Sequence, residues 1–347
     1  MTTTTTRPMP VSAPVLPRTM RAVVRERYGP AEGLQLRELG VPTISADQVL
    51  IRVQAAGLDR GAWHVMTGRP YLMRLVFGLR TPRDITLGSE VAGVVVAVGA
   101  QVSDLRPGDR VFGTCLGSGH GSFADYAVAR AGKLAPMPVG VSFEQAAVIP
   151  VSAQTALQAL RNHGRMQAGQ RVLVIGASGG VGTFAVQLAK AFGAVVTGVC
   201  SPGKVDLVRS LGADHVIDYR ATDLTRVAER FDLVLDIGGT RPLGQLRRLL
   251  TRTGTLVLVG GEGGDRWTGG LGRQLGALLL SRFVPQRLVS FITRENSADL
   301  GTLAGMMEAG TLRPVIDREC GLAQVPEAMR DLEAGRVRGK VAVSVSS

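Results

Sequence analysis

Val172-Leu-Val-Ile-Gly-Ala-Ser-Gly-Gly-Val-Gly-Thr-Phe-Ala-Val-Gln-Leu-Ala-Lys-Ala-Phe-Gly193 runs from an apolar tetrapeptide through a glycine-rich bend into a long amphipathic segment. This is the pattern of a buried strand, a tight turn and a helix. Glycine supplies the backbone angles of the turn, and small side chains let a ligand and the helix approach the strand. Set against the G-x-G-x-x-G spacing, the three key positions are Ala177, Gly179 and Gly182. Free N–H groups at the helix start, reinforced by the helix dipole, suit a pyrophosphate. Ala177, Ser178, Gly179, Gly180, Val181 and Gly182 are therefore the expected cradle of a dinucleotide. The glycines also argue against a membrane span over 172–189, which is otherwise uncharged.

Downstream, short apolar runs at 195–199, 215–217, 233–236 and 256–259 alternate with amphipathic segments such as 182–192 and 204–211. Such alternation predicts a parallel, doubly wound sheet with right-handed crossovers. Segment 271–283 reads as a further helix and 287–293 as a strand. Upstream, 20–133 is different: many short alternating runs are separated by Tyr28-Gly-Pro, Val41-Pro and Arg106-Pro-Gly-Asp turns. That part is expected to be a β-rich, barrel-like module. The chain ends on Gly339-Lys-Val-Ala-Val-Ser-Val, a half-buried strand pattern. A return to strand suggests that the first module is discontinuous, with 20–143 and 286–347 enclosing an α/β domain over 144–285. Ser142-Phe-Glu-Gln reads as the helix start at that boundary.

The chain has 347 residues, enough for two domains. With aromatics at only 4%, the core must be built from Val, Leu, Ile and Ala. The formal net charge is +12, which draws anions, yet no block of five or six like charges occurs. A solvated arginine-rich surface is expected rather than a nucleic-acid face. Cys115, Cys200 and Cys320 are far apart and odd in number, so neither a disulfide framework nor a CxxC pair is read. Reduced thiols in a cytoplasmic protein follow. Residues 1–19, rich in Thr and Pro, lack the apolar run of a signal peptide and are expected to be disordered.

The second strand bears on the coenzyme. An NAD site places an acid about 20 residues after the turn, to bond the ribose 2′-hydroxyl. Here the run ends in Cys200-Ser201-Pro-Gly-Lys204, with a thiol at the acid position and a hydroxyl and a cation after it. Ser201 and Lys204 would bind a 2′-phosphate, so NADPH is expected over NADH. Asp206, one helical step further, softens that preference.

Beyond the glycine turn, the motifs are Gln48-Val-Leu-Ile-Arg-Val-Gln-Ala-Ala-Gly-Leu-Asp, Leu87-Gly-Ser-Glu-Val-Ala-Gly-Val-Val, Arg106-Pro-Gly-Asp-Arg-Val-Phe, Gly121-Ser-Phe-Ala-Asp-Tyr and Leu211-Gly-Ala-Asp-His-Val-Ile-Asp-Tyr. On these the chain, from Met20 onward, resembles the medium-chain dehydrogenases/reductases. Within them it is similar to the zinc-free quinone oxidoreductase-like branch, including bacterial members and the reticulon-interacting reductases. The resemblance implies a GroES-like catalytic domain, a Rossmann domain and a homodimer. It also implies roles. Zinc members carry metal ligands where this chain has Asp59, Ser89 and the run after Pro150, so no metal is expected. Glu90 then reads as a structural residue. Asp59 falls beside the nicotinamide, Arg60 at a cofactor contact, His64 at a proton-relay position and Tyr219 beside the adenosine. Gly61 stands where the relay has a hydroxyl, so His64 would act through water.

Trp63 and Tyr71 are the aromatic candidates for the substrate wall, and loops 68–84 and 263–272 for its shape. Gly260, Gly261 and Glu262 follow the strand at 256–259, at the sheet edge where ligands bind. The expected reaction is hydride transfer from NADPH to a quinone or an α,β-unsaturated carbonyl. Without a Lewis acid, charge delocalised over a conjugated substrate is easier to stabilise than a simple alkoxide. Two other readings stay open: an alcohol dehydrogenase or carbonyl reductase, and an NADPH-binding protein with a basic interaction surface and little turnover. A small-molecule substrate is expected, and no membrane span.

Overall fold

The computed structural model describes residues 16–261 and 264–345. The expected tail falls outside them up to residue 15, as does Glu262. Order begins earlier than the sequence pattern implied: Arg18 already accepts a hydrogen bond from Val41, and the first strand starts at Thr19.

Fifteen strands are formed among the described residues: β1 (Thr19–Val24), β2 (Gln35–Gly40), β3 (Gln48–Leu58), β4 (Glu90–Val98), β5 (Arg110–Thr114), β6 (Tyr126–Arg130), β7 (Leu134–Pro136), β8 (Arg171–Ile175), β9 (Val195–Cys200), β10 (His215–Asp218), β11 (Phe231–Asp236), β12 (Leu250–Leu258), β13 (Arg287–Ser290), β14 (Ile316–Gly321) and β15 (Lys340–Ser344). The six strands β10-β9-β8-β11-β12-β13 form one parallel sheet. Strand order reverses about β8, the feature that opens a crevice at the strands' carboxyl ends. Residues 172–175 of β8 and 233–235 of β11 are apolar and buried because helices cover both faces of the sheet.

A seven-stranded sheet runs β14-β15-β3-β4-β5-β7, with β6 also on β3, and β1 and β2 form a ribbon beside it. Residues 316–344 thus return to the β-rich module: β15 pairs antiparallel with β3 over Ala55–Leu58. One boundary needs correcting. Arg287–Ser290 was expected in the returning segment 286–347, but β13 is hydrogen-bonded parallel to β12 and completes the six-stranded sheet. The crossover comes after residue 290, because a strand of four residues is held by its neighbour's ladder rather than by its own sequence.

Between the sheets, Ser142 caps the helix Phe143–Ala147 with a full capping box. The helix Pro150–Gln158 follows. A second bridge joins the modules far away in sequence. Tyr71 and Leu72 donate backbone bonds of 2.9 and 3.0 Å to Arg266 and Trp267, and the Tyr71 and Trp267 rings meet edge to face.

Candidate functional site

β8 delivers the chain into the bend at Gly176, whose φ of 89° is a conformation that favours glycine. The helix Gly180–Ala191 starts four residues later. A Cβ on Gly182 would sit 2.1 Å from the Gly176 carbonyl oxygen, so the turn closes only around glycine there. Gly179 is different: beyond its own turn nothing lies within 3.6 Å of where a Cβ would point. Ala177 is fully buried, and with Gly182 it packs the turn. Ser178, Gly179, Gly180 and Val181 line a cleft of about 380 Å³.

The opposite wall comes from the last part of the chain. Gly339 donates a 2.9 Å backbone bond to Ser178, and Gly335, Val337, Gly339 and Lys340 all line the cleft. Lys204 also lines it, with Nζ bonded to the carbonyls of Val337 (2.8 Å) and Gly335 (3.2 Å). Burial lowers its pKa, opposed by Asp317. Ser201 precedes the turn Pro202–Lys204 and is not in the cleft wall. Tyr219 is half-exposed after β10, its N–H bonded to Cys200. Gly260 is packed against Ile237, whose neighbour Gly238 is in the cleft wall, and Gly261 against Gly270. The cleft has what a dinucleotide needs: open backbone at a helix N-terminus, glycines at 176, 179 and 180, and three cations, Arg60, Lys204 and Lys340.

Asp59 caps the helix Arg60–Thr67, accepting from Ala62 N at 2.8 Å. Only 5% exposed, it also accepts a 2.5 Å bond from Ser89 Oγ. Asp59 belongs to two cavities at once: the cleft above, where Arg60 joins it, and a smaller, largely apolar one of about 140 Å³. Val65, Met73, Phe77, Leu87 and Leu116 form the apolar wall of the second.

The structure does not bring Trp63, His64 or Tyr71 to either cavity. Successive helical residues lie about 100° apart, so Gly61, Ala62 and Val65 face the cavity while their neighbours turn away. Trp63 packs against the barrel core. His64 Nδ1 is 2.8 Å from the Arg69 carbonyl oxygen, and Tyr71 packs on Trp267 and Arg74. Loop 68–84 does contribute, through Met73, Phe77 and Asp84; residues 264–272 contribute nothing to this cavity.

Sequence reasoning missed Arg25, His120, Ser152 and Lys340. Arg25 and His120 line the small cavity, and Ser152 and Lys340 the cleft. His120 is held below the usual histidine pKa by burial, against the pull of Asp84. Glu90, read as structural, accepts from Val151 N at 2.9 Å and from Lys340 Nζ. Among the described residues, no three His, Cys, Asp or Glu side chains cluster as metal ligands would.

Against known proteins, residues 45–139 match the alcohol dehydrogenase GroES-like domain and residues 211–343 the zinc-binding dehydrogenase family. The chain is 34% identical to NAD(P)H oxidoreductase RTN4IP1, mitochondrial, from Danio rerio, over 94% of this chain and 91% of that protein. The chain belongs to the medium-chain dehydrogenase/reductase superfamily. Another relative in this superfamily is 2-methylene-furan-3-one reductase from Solanum lycopersicum, 33% identical over 94% of this chain and 80% of that one. Among solved structures, the quinone oxidoreductase from Coxiella burnetii superposes with a TM-score of 0.83 at 29% identity, over 94% and 100% of the two chains. As a medium-chain dehydrogenase/reductase, the protein is an oxidoreductase using a nicotinamide coenzyme. Among the described residues, no helix is long and apolar enough to cross a membrane.

Proposed function

We propose that this reductase uses NADPH to reduce a quinone or an α,β-unsaturated carbonyl without a metal ion. The observation that carries this reading is the place of Asp59, buried where the coenzyme cleft meets an apolar cavity. When bound, the coenzyme supplies the hydride. The chain's own part is to orient and to exclude water. N–H groups at the start of helix Gly180–Ala191 would hold the pyrophosphate, and Lys204, in the wall of the same cleft, would favour a 2′-phosphate. Asp59 fixes the Ser89 hydroxyl by their 2.5 Å bond. A serine hydroxyl and one carboxylate are a poor zinc set. Charge arriving on the substrate must then spread over a conjugated system. The quinone and furanone reductase names of relatives support this class.

Reduction of a panel of quinones, enones, ketones and alcohols, each with NADPH and NADH, tests the reading. Quinones and enones should turn over with NADPH. Replacement Lys204→Ala should raise KM for NADPH by about tenfold and leave NADH unchanged. Faster turnover of simple alcohols, or equal use of NADH, would overturn it.

We place the protein in the cytoplasm, on the strength of three buried free thiols. We also read it as a homodimer. β13 is an edge strand, and exposed Leu275, Leu279, Phe283 and Ile292 stand close to it in sequence. Sedimentation of the wild type and of Ile292→Asp should show a dimer and a monomer.

A further inference from the structure

Arg25 lies just past β1 and is only 2% exposed. It lines the apolar cavity below Asp59. Its Nη2 reaches the Asp84 carbonyl oxygen at 3.4 Å, a long bond, and its guanidinium stands 5.4 Å from the Tyr28 ring. Nε and Nη1 have no hydrogen-bond partner among the described residues. A buried cation with unpaired donors is costly to the fold, and such cost is retained where a ligand completes the site. Burial pulls the guanidinium pKa down to about 10, against the opposing influence of Tyr28 and Asp84. Of the acids on the same wall, Glu295 is paired with Lys133 at 2.8 Å and Asp59 is bonded to Ser89, while Asp84 offsets part of the burial cost by its charge and leaves Nε and Nη1 without a hydrogen bond.

We infer that Arg25 anchors a carboxylate on the substrate, so that the protein acts on enones or quinones bearing an acid group. This rests on the reductase reading above and narrows it. Segment 84–89 contributes Asp84, Thr86, Leu87, Gly88 and Ser89 to the cavity wall. Arg25 is bonded at one end of the segment, to Asp84, and Asp59 at the other, to Ser89. A substrate spanning the two puts its conjugated carbon beside the coenzyme cleft and its carboxylate on the guanidinium. The cavity, about 140 Å³, suits a single ring or a short chain.

The test pairs β-acetylacrylate, a methyl enone carrying a carboxylate, with its methyl ester. Both take a hydride on the alkene carbon and a proton from solvent, yielding the saturated ketone and NADP+. Arg25→Met should lower kcat/KM for the acid by about tenfold or more, through KM, and change the ester less than about threefold. Arg25→Lys should restore part of the loss. Calorimetric binding of benzoate, which needs no turnover, should weaken likewise, while benzyl alcohol binds both proteins alike. Thermal unfolding of Arg25→Met should be unchanged or shifted upward, since an unpaired buried charge is removed. Equal losses for acid and ester, or benzoate binding indifferent to Arg25, would overturn the inference. If Arg25 governs benzoate binding but neither enone is reduced, the carboxylate site stands and the reductase reading falls.

Discussion

Lys340 Nζ lies 2.5 Å from the Glu90 carboxylate, across 250 positions of sequence, with the two side chains 2% and 0% exposed. The same ammonium is 3.2 Å from Ser152 Oγ, and Glu90 also holds Val151 N. One ion pair therefore joins β4, β15 and the helix Pro150–Gln158 beneath the coenzyme cleft. Removing one partner leaves an uncompensated buried charge. Lys340→Met or Glu90→Gln alone should cost about 3–5 kcal/mol in urea unfolding, and the double replacement should recover much of it. Additive losses would show that the two groups do not act as a pair.

Gly179 and Gly182 belong to one turn but should respond differently. A Cβ on Gly182 meets the Gly176 carbonyl oxygen at 2.1 Å, so Gly182→Ala should lower the melting temperature by several degrees. A Cβ on Gly179 meets only the Gly176 carbonyl oxygen, at an ordinary contact of 3.6 Å, and its φ of −86° is one that any residue adopts. Gly179→Ala should fold normally yet bind NADPH about tenfold more weakly, measured by coenzyme fluorescence.

Ser89 donates to Asp59 where zinc-dependent relatives would hold metal. Activity should be unchanged after dialysis against a strong chelator. Ser89→Ala should cost about 1–3 kcal/mol of stability, because a buried carboxylate oxygen loses its donor. Activity lost on chelation and restored by zinc would contradict the metal-free reading.

Asp299 sets an acid limit on stability. Burial works to raise its pKa, but bonds from Arg161, Gln158 and Asn296 outweigh it and hold the carboxyl below its ordinary value. A carboxyl lowered on folding stabilises the protein above its unfolded pKa of about 3.9 and loses that contribution as pH falls through the folded value. Asp299→Asn should be less stable than the wild type near neutrality, and the gap should close below about pH 4. A gap independent of pH would assign the loss to packing instead.

Much was legible in the sequence because it is written locally. The turn from Gly176 to Gly182 announces itself by strand, glycine and helix within a dozen residues, and the structure builds the helix Gly180–Ala191 there. The Ser142 cap is equally local, since its partner is Gln145. The substrate wall was not legible. Trp63 and Tyr71 are aromatic candidates and His64 follows from the resemblance, but the helix Arg60–Thr67 turns Ala62 and Val65 inward in place of Trp63 and His64, and Tyr71, beyond that helix, packs on Trp267. Arg25, His120 and Lys340 carry no motif.

Chain chemistry by itself determined the parallel sheet, its dinucleotide bend and the β-rich module, because periodicity and glycine spacing act through neighbouring residues. Packing alone decided that β13 joins the parallel sheet, that Lys340 closes on Glu90, and that Arg25 stands with two donors unmatched in the wall of Asp59's cavity. Those contacts bring together residues tens to hundreds of positions apart, and their energies arise from burial and mutual distance, which no local pattern encodes.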